Sequence, residues 1–243
     1  MGRLRLSLAL VLSFAIACAL PERNPADILL FNGRGTSAND VAALQGILGE
    51  RSLGYATAGS ESLGAMSEAE LKAFRLLIIP GGNFEDIGHT LTADTTAKLR
   101  RAVGSGLNYL GICAGAFFAG ASPYNGLNLT SGVMFPFYAL EHQGIRKAPV
   151  VISTADASPF EAYWEDGPQL TGWGEVVARY PDMSPAVVQG TFGEGWVVLT
   201  GIHAEAPASW RRDLAFTTSI APSHAYAASL IDAARHRTRL PRH

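Results

Sequence analysis

Cysteine is nearly absent from this sequence: 243 residues contain two, Cys18 and Cys113. With Cys18 inside a leader-like N-terminus, no internal disulfide is expected, and Cys113 stands as the sole thiol of the folded domain. Charge is also thin, at 16% of residues with a net of −2. The one basic concentration, Arg235, Arg237, Arg239 and Arg242, reads as a solvated helix face and tail, so nucleic acid is not an indicated partner. Long apolar runs are missing beyond Leu6 to Ala17, which is too short to cross a bilayer comfortably. There is no internal repeat, low-complexity linker, P-loop or dense cluster of metal-ligand residues, and neither a metal nor another cofactor is expected. What remains is a chain with 48% hydrophobic residues, enough to bury a sizeable core as one ordinary domain.

The first residues have the pattern of a secretory signal. Arg3 and Arg5 precede the Leu6 to Ala17 run, which is apolar apart from its serines and ends in small residues. Residues 1–17 are therefore assigned to a signal peptide and residues 18–243 to a single domain, exported and bacterial. Ala15 and Ala17 fit the small-residue cleavage rule and leave Cys18 first, as in a lipoprotein box, although Ala15 stands where leucine is more usual. Periplasmic secretion and lipid anchoring through Cys18 stand as alternatives, and membrane contact is expected only through that anchor. The oligomeric state is left open.

Strands and helices alternate through the first half. Asp27 to Phe31 reads as a buried strand, followed by a Gly-Arg-Gly turn and a helix from about Ser37 to Leu48. A weaker strand falls around Leu53 to Thr57, and Ser67 to Glu70 forms a capping box for a short helix ending near Phe74. Leu76 to Ile79 is the clearest strand and stops at Pro80-Gly81-Gly82. A helix from about Thr92 to Val103 leads into the run from Leu107 to Ile112, which delivers the chain to Cys113, and the small apolar residues Ala114 to Ala121 suit a helix packed under a sheet. From Pro123 to Thr200 short apolar runs between Gly, Pro and Asp turns read as strands, some antiparallel. A last helix spans about Ser223 to His236. The pattern implies an α/β fold: a three-layer sandwich on a mostly parallel central sheet, flavodoxin-like, with a strand-rich insert.

In such a sheet ligands gather beyond the carboxyl ends of the strands. Gly111-Ile112-Cys113-Ala114-Gly115 and Gly201-Ile202-His203-Ala204-Glu205 each follow an apolar run, and together they supply Cys113, His203 and Glu205. A cysteine between glycines at a strand end suits a nucleophile on a sharp turn. The start of a helix would stabilise its thiolate. His203 and Glu205, two residues apart, project to one side of an extended segment, so the carboxylate orients the imidazole whose other nitrogen faces Cys113. The backbone amides of Gly82 and Ala114 are the candidate oxyanion hole.

These residues resemble the class I glutamine amidotransferase fold, whose members carry a Cys-His-Glu triad on a nucleophile elbow. More closely, the chain resembles the domain at the N-terminus of eukaryotic biotin-protein ligases, through Leu77 to Gly82, Gly111 to Ala116, Tyr163 to Pro168 and Gly193 to Glu205. Two departures stand out. Phe117 occupies the place, four residues after the nucleophile, where glutamine-using members commonly carry a glutamine, and Ala204 replaces the familiar proline between histidine and glutamate. The resemblance thus implies a free-standing hydrolase of a small amide or peptide-like substrate, with Gly81, Phe117 and His142 as candidate pocket residues. The alternative is a non-catalytic binding or regulatory module that keeps the elbow as architecture. His89 and His224 read as surface or hydrogen-bonded structural residues, and Gly190, Gly193 and Gly195 as a hairpin turn before Trp196.

Overall fold

The computed structural model describes residues 26–243, so the signal-peptide assignment and the acylation of Cys18 lie outside the described residues. In chain order the elements are β1 (Ile28–Phe31), α1 (Ala38–Glu50), β2 (Tyr55–Ala58), α2 (Ser60–Ala65), α3 (Glu68–Lys72), β3 (Leu76–Ile79), α4 (Phe84–Thr90), α5 (Ala93–Gly104), β4 (Asn108–Ile112) and α6 (Ala114–Ala119). A long loop with a 3-10 turn at Glu141–Gln143 then leads to β5 (Lys147–Thr154), β6 (Phe160–Glu165), β7 (Glu175–Arg179), β8 (Pro185–Phe192), β9 (Gly195–Thr200) and α7 (Ala221–His236).

The continuous apolar strands are those that need covering on both faces. β1, β3, β4 and β9 are buried at every position, which is the signature of parallel strands under helices. Along them the side chains alternate between two cores. Ile28, Leu30, Ile78 and Val198 point to the layer of α1 and α7, while Leu29, Phe31, Leu77 and Val197 point to the layer that includes α5 and α6. The result is three layers around a nine-stranded sheet of order β2-β1-β3-β4-β9-β8-β7-β5-β6. The pairings from β2 across to β9 are parallel and those from β9 to β6 are antiparallel. The parallel part follows the flavodoxin-like order, with β9 supplying the fifth strand after the antiparallel insert.

Local signals set the helix starts. Ser37 caps α1 by accepting from the Asp40 amide, Thr92 caps α5, and the Ser67/Glu70 capping box is complete. Three features differ from the sequence expectation. The weak strand lies at Tyr55–Ala58, shifted towards the C-terminus, because it pairs with β1 from Ile28↔Tyr55 to Phe31↔Ala58. The short helices α2 and α4 were not expected, being too brief to show a period. β6 was not distinguished as a strand because Glu161 breaks its apolar run; that carboxylate is buried and accepts from the amides of Thr217 and Thr218 at 2.6 and 2.8 Å. The glycine string ending at Gly195 is the hairpin between β8 and β9.

Candidate active site

Cys113 sits between β4 and α6 with φ 48° and ψ −104°. A non-glycine residue in such a sparsely populated region costs about 1–3 kcal/mol and persists only where the surroundings enforce it. The enforcement is visible on both sides. The Cys113 amide donates to Thr200 O at 2.8 Å, locking the turn to β9. A Cβ on Gly115 would come within 2.0 Å of Ile79 O, so only glycine lets α6 approach β3 this closely. The thiol is 5% exposed and donates to the backbone oxygen of Glu165 at 3.4 Å.

His203 follows β9 and is anchored by its amide, which donates to Tyr163 O at 2.8 Å. Its Nδ1 lies 2.9 Å from Glu205 Oε1 and 3.1 Å from Asp40 Oδ1. All three residues are buried. Two carboxylates on Nδ1 make that nitrogen the protonated one and leave Nε2 for chemistry. Asp40 comes from the first turn of α1 and reaches the imidazole over Gly81, where a Cβ would lie 2.2 Å from Asp40 Oδ2 and 2.5 Å from His203 Cε1. Gly81 is therefore the floor that lets the two groups meet.

The electrostatics separate the carboxylates. Burial pushes the Glu205 carboxyl up to about 8 against the pull of His203, with Asp40 adding to the rise. Burial acts in the same direction on Asp40, but the His203 charge, its hydrogen bond and a hydrogen bond from Glu205 bring that carboxyl below its ordinary value. One proton is thus held between two adjacent acids, with Asp40 the ionised member. Burial lowers His203, yet Asp40, Cys113 and Glu205 together hold the imidazole well above its usual value. Asp40, His203 and Glu205 also bring potential metal-ligand atoms within 4.8 Å of one another. This is a grouping the sequence did not show, since Asp40 is 163 residues from His203. In the structure these atoms converge on the Nδ1 hydrogen, which an ion would have to displace.

Cys113 opens onto two cavities. One, of about 480 Å³, is lined by Asp40, Tyr163, Glu165, His203 and Trp210 among others. The second, of about 270 Å³, is lined by the polar side chains of Asn83, Glu85 and Arg146 and by Phe84, Ala114, Phe117 and Phe137, with Cys113, Gly82 and Asp166 common to both. The amides of Gly82 and Ala114 have no hydrogen-bond acceptor among the described residues. Phe117 stacks on Phe84 at 4.7 Å between centroids and meets Phe137 at 4.8 Å. His142, expected as a pocket residue, is exposed beside Glu141 at 3.4 Å and lines neither cavity. Gly81 lies beneath the first cavity rather than on its wall. His89 is exposed against Tyr124, and His224 bonds Ala206 O at 3.0 Å. Sequence reasoning missed Asp40, Trp210 and Asp166. An acid in the first turn of a helix whose start faces the carboxyl edge of the sheet was a usable signal for Asp40, but such acids usually serve the helix itself.

Residues 26–125 match the family described as biotin-protein ligase, N terminal. This stretch is similar to the biotin-protein ligase N-terminal family. It carries Asp40, Gly81, Gly82, Cys113 and Phe117, whereas His203 and Glu205 lie beyond it. The chain is 30% identical over 161 residues to a biotin–protein ligase of Schizosaccharomyces pombe, in a match covering 54% of the chain and 25% of that protein. It thus spans about a quarter of the length of this curated relative. The fold is glutamine amidotransferase-like. A crystal structure of a glutamine amidotransferase superposes with a TM-score of 0.60 at 18% identity, covering 85% of this chain and 100% of the other. PurLQS from Thermotoga maritima superposes with a TM-score of 0.58 at 15% identity, covering 86% and 99%. An exo-β-1,4-mannosidase from an Opitutaceae bacterium shares the fold over 36% of its own length, with a TM-score of 0.56 at 16% identity. At these identities the structural likeness concerns the fold alone.

Proposed function

We propose that this biotin-protein ligase N-terminal-type chain is an exported, cysteine-dependent amidohydrolase. The observation that carries the reading is one cavity onto which a strained, glycine-flanked Cys113 and the doubly supported imidazole of His203 both open. In the forward half, His203 Nε2 takes the thiol proton and Cys113 Sγ forms a bond to the substrate carbonyl carbon. The resulting oxyanion is held by the Gly82 and Ala114 amides. Collapse breaks the C–N bond, and the amine leaves with the proton from His203. In the second half, water loses a proton to His203 and attacks the thioester; the C–S bond breaks, the acid departs and the thiol is restored. Overall, amide and water give acid and amine. Asp40 and Glu205 keep the imidazolium charge local between the two proton transfers.

The Cys113–Glu165 hydrogen bond favours the other reading, a binding or regulatory module, because the resting thiol is directed to a carbonyl rather than to Nε2. The two separate on one experiment. Iodoacetamide is expected to alkylate Cys113 in the wild type at neutral pH several-fold faster than in His203→Ala. An amide panel that includes biotinamides, suggested by the name of the fission-yeast relative, is expected to yield an acyl-enzyme mass on Cys113 that is absent in Cys113→Ala. Equal alkylation of both proteins, with no acyl adduct, would favour the binding module. The proposed export is tested on the same protein by intact mass of material recovered from the producing cell. Loss of residues 1–17 supports it, and a diacylglyceryl increment on Cys18 selects the anchored form.

A further inference from the structure

β6 is the outermost strand of the sheet, so one of its edges has no strand beside it. Alternation along an antiparallel ladder decides which residues face that edge. The Asp166 amide donates inward, to Arg146 O at 2.9 Å on the β5 side. Glu165 and Tyr163, paired with Lys147 and Pro149, therefore turn their main-chain N–H and C=O groups outward. Pro149 agrees with this phase, since it has no N–H to offer Tyr163.

Two groups of the catalytic centre use this edge. The His203 amide donates to Tyr163 O at 2.8 Å, and the Cys113 thiol donates to Glu165 O at 3.4 Å. The first is an ordinary strand-like pairing. The second is not, because a thiol is a weak donor at a position where a main-chain carbonyl ordinarily takes an N–H. The Glu165 carboxylate is turned back to the Tyr163 hydroxyl, at 2.7 Å. Beyond Glu165 the strand ends, since Asp166 leaves it with a φ of 44°. Glu165 thus presents the last outward carbonyl of an edge strand, beside the nucleophile and on the cavity of about 480 Å³ that His203 also lines. Its oxygen is occupied by the one donor that must leave it for catalysis, because the chemistry proposed above hands the thiol proton to His203 Nε2.

We infer that the ligand is peptide-like and is read through its main chain: a backbone N–H on the acyl side of the attacked carbonyl donates to Glu165 O in place of the Cys113 thiol. The ligand residue continues the edge of β6 past the Tyr163–His203 pairing in the manner of an added strand. Its arrival frees the thiol, so binding and activation are one event. Which bond is then cleaved rests on the amidohydrolase reading; the N–H contact does not.

The test uses the full chain and three chloromethyl ketones that alkylate thiols: benzyloxycarbonyl-glycyl, -alanyl and -sarcosyl. The sarcosyl reagent carries a methyl group on the nitrogen where the glycyl reagent carries hydrogen. The alanyl reagent carries an added methyl group on carbon and keeps the N–H. Peptide mass locates the adduct on Cys113, and rates are normalised to iodoacetamide. The glycyl and alanyl reagents are expected to react at least about tenfold faster than the sarcosyl one, the scale of one hydrogen bond lost with its acceptor left open. Glu165→Ala removes the carboxylate and keeps the carbonyl, and is expected to retain that ratio whatever it does to either rate. Equal rates for glycyl and sarcosyl overturn the inference. So does an alanyl reagent as slow as the sarcosyl one, which reports crowding, and so does a ratio lost in Glu165→Ala, which places the acceptor on the side chain. The hydrolase reading is followed separately, by release of aminomethylcoumarin from its benzyloxycarbonyl-glycyl amide. Release without sarcosyl discrimination sustains the hydrolase and overturns the main-chain contact, and discrimination without release does the reverse.

Discussion

At the scale of single residues, the deciding feature is that His203 is held by two carboxylates rather than one. Asp40 is the ionised partner, and Glu205 is the group whose proton is retained up to about pH 8. Asp40→Asn removes the charge that most raises His203. The variant is expected to lose about 10–100-fold in kcat/KM, less than the loss typical of deleting a general base outright. Its acid limb should move to lower pH, because the general base is then freed of its proton at lower pH, a displacement that a purely structural defect would not produce. Glu205→Gln keeps a neutral hydrogen-bonding group in place and is expected to leave that limb nearer the wild type.

Stability follows the same protons. The native chain holds the Glu205 proton to about pH 8, while an ordinary glutamate releases it near 4.5. This contribution is complete below 4.5 and is lost as pH rises to about 8. His203 has the same sign, complete below 6.5 and lost as pH rises through its elevated native value. Asp40 opposes them, contributing above 3.8 and failing as pH falls through its lowered native value. The melting temperature is therefore expected to decline between pH 4.5 and 8, with a shallower decline in Glu205→Gln. A wild-type profile flat over that window would contradict the shared-proton arrangement.

At the scale of elements, the site depends on backbone approach. Gly115→Ala places a methyl group 2.0 Å from Ile79 O, and that atom belongs to β3 rather than to a movable side chain. A destabilisation of about 1–3 kcal/mol is expected, read by denaturant melting. The other element-level device is Glu161 in β6, whose carboxylate ties down Thr217 and Thr218 through their amides and hydroxyls. Burial acts to raise this group, but those four hydrogen bonds hold it below the ordinary glutamate value. They fix the end of the connection that carries Trp210 into the cleft. Glu161→Gln is expected to speed amide hydrogen exchange across residues 206–220 while leaving β1, β3 and β4 protected.

At the scale of the whole molecule, the C-terminal arginines are not simply a solvated face. Arg235 pairs with Asp27 at the start of β1 at 2.7 Å, Arg237 donates to Asn108 Oδ1 at 3.0 Å, and Arg239 and Arg242 both reach Glu175. The cluster is used to draw α7 and the tail onto the sheet. Arg235→Ala is expected to cost about 1 kcal/mol, between an exposed pair and a buried charged hydrogen bond. Much else was legible in the sequence. The apolar runs of β1, β3, β4 and β9 specify strands covered on both faces, the capping residues Ser37, Ser67 and Thr92 mark helix starts, and the glycines around Cys113 mark the sharp turn. These are local properties, written in the dihedral preferences and periodicity of neighbouring residues. The meeting of Asp40 with His203, and the opening of Cys113 onto two adjoining cavities, belong to tertiary structure. They arise because β9 inserts beside β4 after an antiparallel excursion, so distant segments converge on one sheet edge, and no local preference of either segment encodes that convergence.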